Sequence, residues 1–121
     1  MFYNVDFANA SGSTCFLRGY PGVSLVSTGS DAGSQIGADA KRDAVQPAGT
    51  IMVAAGQTAH AVLAIVDAGN FPASRCDPVT AHWLKVFPPD QTAAAFVRFT
   101  TQTCASSSVP TMRITPISAG S

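Results

Sequence analysis

The sequence predicts an all-β domain, a two-sheet antiparallel sandwich of about seven to nine short strands. Three observations predict it. Apolar and polar residues alternate over short segments separated by turn signals every 8 to 12 residues or so, and no segment longer than about ten residues fits the helical period better. Charged residues make up only 12% of the chain and all seven acidic residues are Asp. The Glu and Lys that favour exposed helix faces are thus nearly missing, while Val, Thr and Phe are frequent. At 121 residues the chain has the length of one domain, enough to bury roughly two thirds of its unfolded surface.

Phe2 to Asn9 sets Tyr3, Val5 and Phe7 on one face against Phe2, Asn4 and Asp6, as in a half-buried strand. Asn9-Ala10-Ser11-Gly12-Ser13 turns the chain into a second strand, Thr14 to Arg18, with Cys15 and Leu17 on one side. A hairpin of these two strands is the simplest arrangement. Gly19-Tyr20-Pro21-Gly22 then reads as a type II turn, with Pro fixing φ and Gly22 accepting a positive one. Val23, Leu25 and Ile36 belong to strands on either side of a Gly/Ser-rich loop, Ser27 to Ser34, expected to be exposed and mobile. Ala38 to Gly49 reads as an irregular crossover between sheets.

Thr50 to Ala54 and Thr58 to Asp67 repeat the strand, turn, strand rhythm, and Ala59, Ala61, Leu63 and Ile65 make one buried face. Ala68 to Cys76 reads as a long loop. A strand from Ala81 to Phe87 is stopped by Pro88-Pro89-Asp90, since prolines cannot continue a ladder. Ala93 to Thr100, running on to Cys104, and Thr111 to Ile117 complete the set.

Composition also excludes functions. Formal net charge is zero, and Arg18, Lys41, Arg42, Arg75, Lys85, Arg98 and Arg113 are scattered singly or as one pair, which excludes a nucleic-acid track. No apolar run reaches the roughly 18 residues of a transmembrane segment. Met1 to Phe7 has neither the basic region nor the continuous apolar region of a signal peptide, so an exported protein would be represented here by its mature part or by a sequence that starts too late.

Three cysteines, Cys15, Cys76 and Cys104, leave one thiol over from any single bridge. Cys76 and Cys104 sit at loop edges on either side of a pair of strands, and closing a loop of that length contributes about 3 to 4 kcal/mol in the chain-entropy model. Cys76–Cys104 is therefore the favoured bridge and Cys15 the unpaired thiol, although the residues alone also allow either bridge to Cys15 and the fully reduced form. The cysteine and histidine spacing does not match a zinc site. Met52, His60, His82 and Met112 offer soft ligands for Cu(I), but without a Met-x-Met or His-x-His cluster. No metal or other cofactor is expected. Ser, His and Asp occur without a Gly-x-Ser-x-Gly elbow, so no catalytic residue is assigned. His60 reads as an outward-facing polar residue, and His82 as one member of an edge pair with Trp83. Tyr20, Phe71 and Trp83 are the candidate partner-binding aromatics, two of them in loops; the competing role is to cap the core.

Asn9 to Leu25, with its Asn-Ala-Ser-Gly-Ser-Thr-Cys-Phe-Leu-Arg-Gly-Tyr-Pro-Gly-Val run, resembles the opening of the actinobacterial domain of unknown function 4232 family. Gly56 to Ala61, Asp67 to Thr80 and Leu84 to Pro89 with Gln91-Thr92-Ala93 are similar and in the same order, so the resemblance covers about Tyr3 to Pro116. It implies an immunoglobulin-like sandwich in a secreted or lipid-anchored envelope protein, and brings no established catalytic residue or ligand. It also implies a further strand, beginning near a cysteine, ahead of Phe2. This sequence begins without that strand, which would be the natural source of a partner for Cys15. The expectation is a non-catalytic, extracellular or envelope module that binds a protein or envelope component through its loops. A small envelope hydrolase and a structural domain of a longer lipoprotein are the alternatives. A dimer through Cys15 or through an exposed strand edge is expected under oxidising conditions.

Overall fold

Residues 1–89 and 93–120 are described by the computed structural model, and among them eleven strands form. These are β1 (Phe2–Ala8), β2 (Cys15–Arg18), β3 (Gly22–Val26), β4 (Gln35–Ile36), β5 (Lys41–Arg42), β6 (Thr50–Val53), β7 (Thr58–Ile65), β8 (Pro78–Phe87), β9 (Ala95–Cys104), β10 (Met112–Ile114) and β11 (Ser118–Ala119). A 3-10 turn, Ala68–Asn70, and a one-turn helix, α1 (Ala73–Cys76), lie between β7 and β8. The count exceeds the expected seven to nine because β4, β5 and β11 are two-residue pieces, too short to leave a period in sequence.

One sheet runs β1-β7-β10-β5, with β11 also paired to β7. The other runs β4-β3-β8-β9, and β2 with β6 forms a small third ladder. Pairing is antiparallel except between β10 and β5. The chain is an all-β sandwich. Tyr3, Val5 and Phe7 of β1 pack inward from the edge, and the inward face of β7 is wholly buried through Ala59, Ala61, Leu63 and Ile65. Leu25, Leu84 and Val86 meet them from the opposite sheet. Burying such side chains contributes about 1.5 to 3 kcal/mol each, so this cluster is the main source of stability.

Several local expectations give way to longer-range pairing. β1 and β2 do not form a hairpin: β1 pairs with β7 and β2 with β6. Asn9, only 8% exposed, manages the crossing between them. Its Nδ2 donates to the carbonyls of Ser13 and Val53, both at 2.8 Å, and its Oδ1 accepts from the Ser11 amide and hydroxyl. The positive φ of the Gly19-Tyr20-Pro21-Gly22 segment belongs to Gly19 (φ 95°) and not to Gly22, which already opens β3. The Gly19 carbonyl is held by the Ile117 amide at 2.9 Å, which anchors the turn from its first residue.

The Ser27 to Ser34 loop is exposed but closed on itself, with the Ser27 amide on the Ser34 carbonyl and the Ser34 amide on the Ser27 hydroxyl. The crossover 38–49 contributes β5 to the first sheet. The expected loop 68–76 is instead the 3-10 turn and α1, because Asp67 caps the first through the Gly69 amide and Pro72 leads into the second. β8 starts earlier than expected, at Pro78, a position where a strand tolerates proline. β9 starts later, at Ala95. Of the proline stop, Asp90 lies outside the described residues, as do Gln91 and Thr92 of the family-like segment.

Candidate functional site

The Cys76–Cys104 bridge is formed, with the two Cα atoms 4.6 Å apart and both cysteines buried. It ties the end of α1 to the end of β9 and seats a second small core of Ala68, Val109 and the half-buried Phe71. Cys15 is unpaired and half-buried. It shares its inward side with Leu17 and lines a cleft with Phe7, Asn9, Val53 and Pro88. Native protein is therefore expected to yield one thiol per chain to a maleimide of small size, and three only after reduction and unfolding; two or more without reduction would contradict the bridge.

Tyr20, Phe71 and Trp83 occupy three different neighbourhoods. Phe71 packs on the disulfide core. Trp83 lies on β8 under the Ser27 to Ser34 loop, so close that a Cβ on Gly29 would stand 2.8 Å from its ring. Beside it the Arg98 guanidinium is 5.3 Å from the Trp83 ring centre, and Lys85 reaches over Phe87 and Phe96 at 5.1 and 5.7 Å while contacting Asp31 at 3.7 Å. Tyr20 packs on the main core and carries the Arg42 guanidinium 5.1 Å from its ring centre. Tyr20, Gly19, Arg18, Arg42 and Ala48 line a polar cleft of about 430 Å³.

The histidines do not converge. His60, on β7, has Nδ1 2.9 Å from the Gly120 carbonyl, and His82, on β8 of the other sheet, has Nδ1 3.3 Å from the Thr100 hydroxyl. The soft-ligand set is likewise dispersed, with Met52 exposed on β6 and Met112 buried on β10. Among the described residues no group of three or more His, Cys, Asp or Glu stands close enough to hold a metal ion.

A fourth feature was not singled out by the sequence. β1 ends one sheet and β9 ends the other, and the two edges lie on the same side of the sandwich. Between them runs an apolar trough of about 270 Å³, walled by Tyr3 and Val5 on β1 and by Val97 and Phe99 on β9, with Leu63 and Leu84 beneath. The Tyr3 and Phe99 rings meet edge to face at 4.9 Å across one end of it. Val97 is 48% exposed there. A bulge in the β8–β9 ladder, where His82 faces both Phe99 and Thr100, re-aims this part of the edge. The only available hint was the alternation Ala95, Val97, Phe99, which marks a face without saying that the strand lies at an edge.

Fold and surface together define a disulfide-bonded β-sandwich with one open side. The chain belongs to the family described as domain of unknown function (DUF4232), whose model matches residues 2–118. Comparison with curated proteins and with solved structures gives no match. No helix is long and apolar enough to cross a membrane among the described residues.

Proposed function

We propose that this chain is an exported, non-catalytic module of the cell envelope that accepts an extended strand of a partner protein along the open side of its sandwich. The observation that carries the proposal is the trough between β1 and β9, two edge strands that each have one neighbour in their sheets. An edge strand offers a row of unpaired main-chain donors and acceptors, and an added strand satisfies them while placing alternate side chains in apolar pockets. Here such side chains would meet Val5, Val97 and Phe99. Export is supported by the Cys76–Cys104 bridge, since structural disulfides persist in oxidising compartments. The non-catalytic reading is supported by the two imidazoles, which belong to different sheets and are each held by a neighbouring main-chain or hydroxyl oxygen. Binding through Tyr20, Phe71 and Trp83 as one surface is less favoured, because they stand in separate neighbourhoods. Of the two routes to a dimer, the strand edge is better supported than Cys15, whose sulfur would have to leave a half-buried cleft.

The test places a photo-crosslinking residue at Asn4, on the trough, or at Phe16, exposed on β2 and away from it, in cells that make the protein. The expected result is a discrete polypeptide adduct from position 4 and not from position 16, lost when Val97→Asp puts a second carboxylate in the trough, which Asp6 already borders. Equal adducts from both positions, or no effect of Val97→Asp in a variant that still melts cooperatively, would sink the proposal. An adduct of twice the chain mass would make the occupant a second copy. Stoichiometric labelling by serine or cysteine activity probes would install the hydrolase alternative in its place.

A further inference from the structure

We propose that the cleft between β2 and β5 is a binding site for a single phosphate group, held between the Arg18 and Arg42 guanidiniums. It goes beyond the strand-accepting role, and the two sites share no lining residue.

Two permanently charged groups line one cleft of about 430 Å³, and no acidic side chain lines it with them. Among the described residues the only cation with a carboxylate oxygen within 4 Å is Lys85, on the other sheet. Asp39 and Asp43, which flank Arg42 in the chain, do not line the cleft. Each guanidinium is nonetheless held in place by a neutral partner. Arg18, at the end of β2, donates through Nη1 to the Thr50 hydroxyl at 3.3 Å, which occupies one of its five N–H donors. Arg42, on β5, lies 5.1 Å from the Tyr20 ring centre, a cation–π contact that uses its face and leaves the N–H edge free. Tyr20 is itself packed on the main core, and the Gly19 carbonyl beside it is held by the Ile117 amide. Lys41 and Arg113, cross-strand partners on β5 and β10, do not line the cleft.

Like charges gathered without a counter-charge repel one another, and an anion between them converts that repulsion into two charge-assisted hydrogen-bonding contacts. The shape of the arrangement selects the anion. The two forks come from strands of separate ladders and line one cleft. A tetrahedral phosphate presents acceptor oxygens to both, whereas a carboxylate has two oxygens in one plane and suits a single fork. Two guanidiniums match one phosphate and are far short of a track along a polyanion, in keeping with the scattered cations elsewhere.

The experiment titrates the intact, isotopically labelled chain at constant ionic strength with inorganic phosphate and with glycerol 3-phosphate, following backbone amide resonances. A parallel arm measures co-sedimentation with vesicles of phosphatidylcholine alone or mixed with phosphatidylglycerol. Saturable shifts confined to Gly19, Tyr20, Ala48 and Thr50 are expected with at least one phosphate source. Arg18→Gln and Arg42→Gln should each weaken binding by roughly tenfold or more. Arg42→Lys should also weaken it, since charge is kept but the fork is lost, while Arg98→Gln should leave it unchanged. Both target arginines are exposed, so the variants are expected to melt as the parent does. Binding of the soluble probes identifies a free or small phosphate ester, and binding only to the phosphatidylglycerol vesicles identifies a lipid head group. Acetate saturating the same amides as tightly as phosphate would overturn the proposal. So would shifts that spread over all the cations without saturating, or vesicle binding that survives both Gln variants.

Discussion

Replacing the bridge by Cys76→Ala with Cys104→Ala is expected to lower the unfolding free energy by about 3 to 4 kcal/mol. The sequence separation is 28, so the bridge removes a substantial loop-closure entropy from the unfolded chain. The native structure around it is held by other means as well. The Ala105 amide donates to the Asp77 carbonyl at 2.9 Å and the Ser106 amide to the Cys76 carbonyl at 3.2 Å, while Pro78 and Cys104 are register partners in the β8–β9 ladder. Most of the loss should therefore come from the unfolded state, with a smaller part from the cavity left among Ala68, Phe71 and Val109. Thermal unfolding should fall by on the order of 10 °C or more. The urea dependence should steepen, because the unbridged chain exposes more surface. Amide resonances of β1, β7 and β10 should barely move. An unchanged melting temperature after complete reduction would mean that the bridge stabilises neither state, and widespread native shifts would mean that it organises the whole sandwich.

The strands that were legible in the sequence are those whose order comes from burial of one face. Tyr3, Val5 and Phe7, and again Ala59, Ala61, Leu63 and Ile65, alternate because one side of each strand leaves water, and that constraint is written locally. Pairing is not written locally. β1 and β2 look like a hairpin because a short polar turn joins them, yet each finds its neighbour beyond position 49, and the ladders gained there outweigh the nearer contact. The two-residue strands β4, β5 and β11 exist because a longer strand beside each of them has groups left to pair. α1 is a single turn and carries no period to detect. The bridge was legible because its two cysteines flank consecutive paired strands. The candidate sites were hidden for the same reason as the pairing. Arg18 and Arg42 belong to different ladders, and nothing in the sequence near either one reports that they share a cleft. Val97 lines an open side only because β9 ends its sheet.

Asn9→Ala is expected to cost about 2 to 4 kcal/mol, a large effect for a residue of modest size outside the apolar core. The side chain occupies the place where the end of β1, the turn into β2 and the end of β6 come together. Its amide nitrogen donates both hydrogens, one to the Ser13 carbonyl and one to the Val53 carbonyl, and its oxygen accepts from both the amide and the hydroxyl of Ser11. The main chain continues the same junction, with the Asn9 amide on the Gln57 carbonyl and the Gly56 amide on the Asn9 carbonyl, each at 2.9 Å. Truncation leaves those main-chain bonds in place, and the Ser13 carbonyl keeps the Ser11 hydroxyl as a donor at 3.0 Å, but the bond to the Val53 carbonyl is buried, so its loss carries a desolvation cost of about 1 to 3 kcal/mol on its own. Asn9→Asp separates the donor role from size and shape. A carboxylate can keep the bonds from Ser11, but it turns an acceptor oxygen towards two carbonyl oxygens, where the amide offered donors. At neutral pH it should therefore be at least as destabilising as alanine, although it differs from the parent in one functional group. Urea unfolding of the parent and both variants checks the order, and an Asp variant as stable as the parent would show that acceptance from Ser11, not donation to Ser13 and Val53, is what the junction requires.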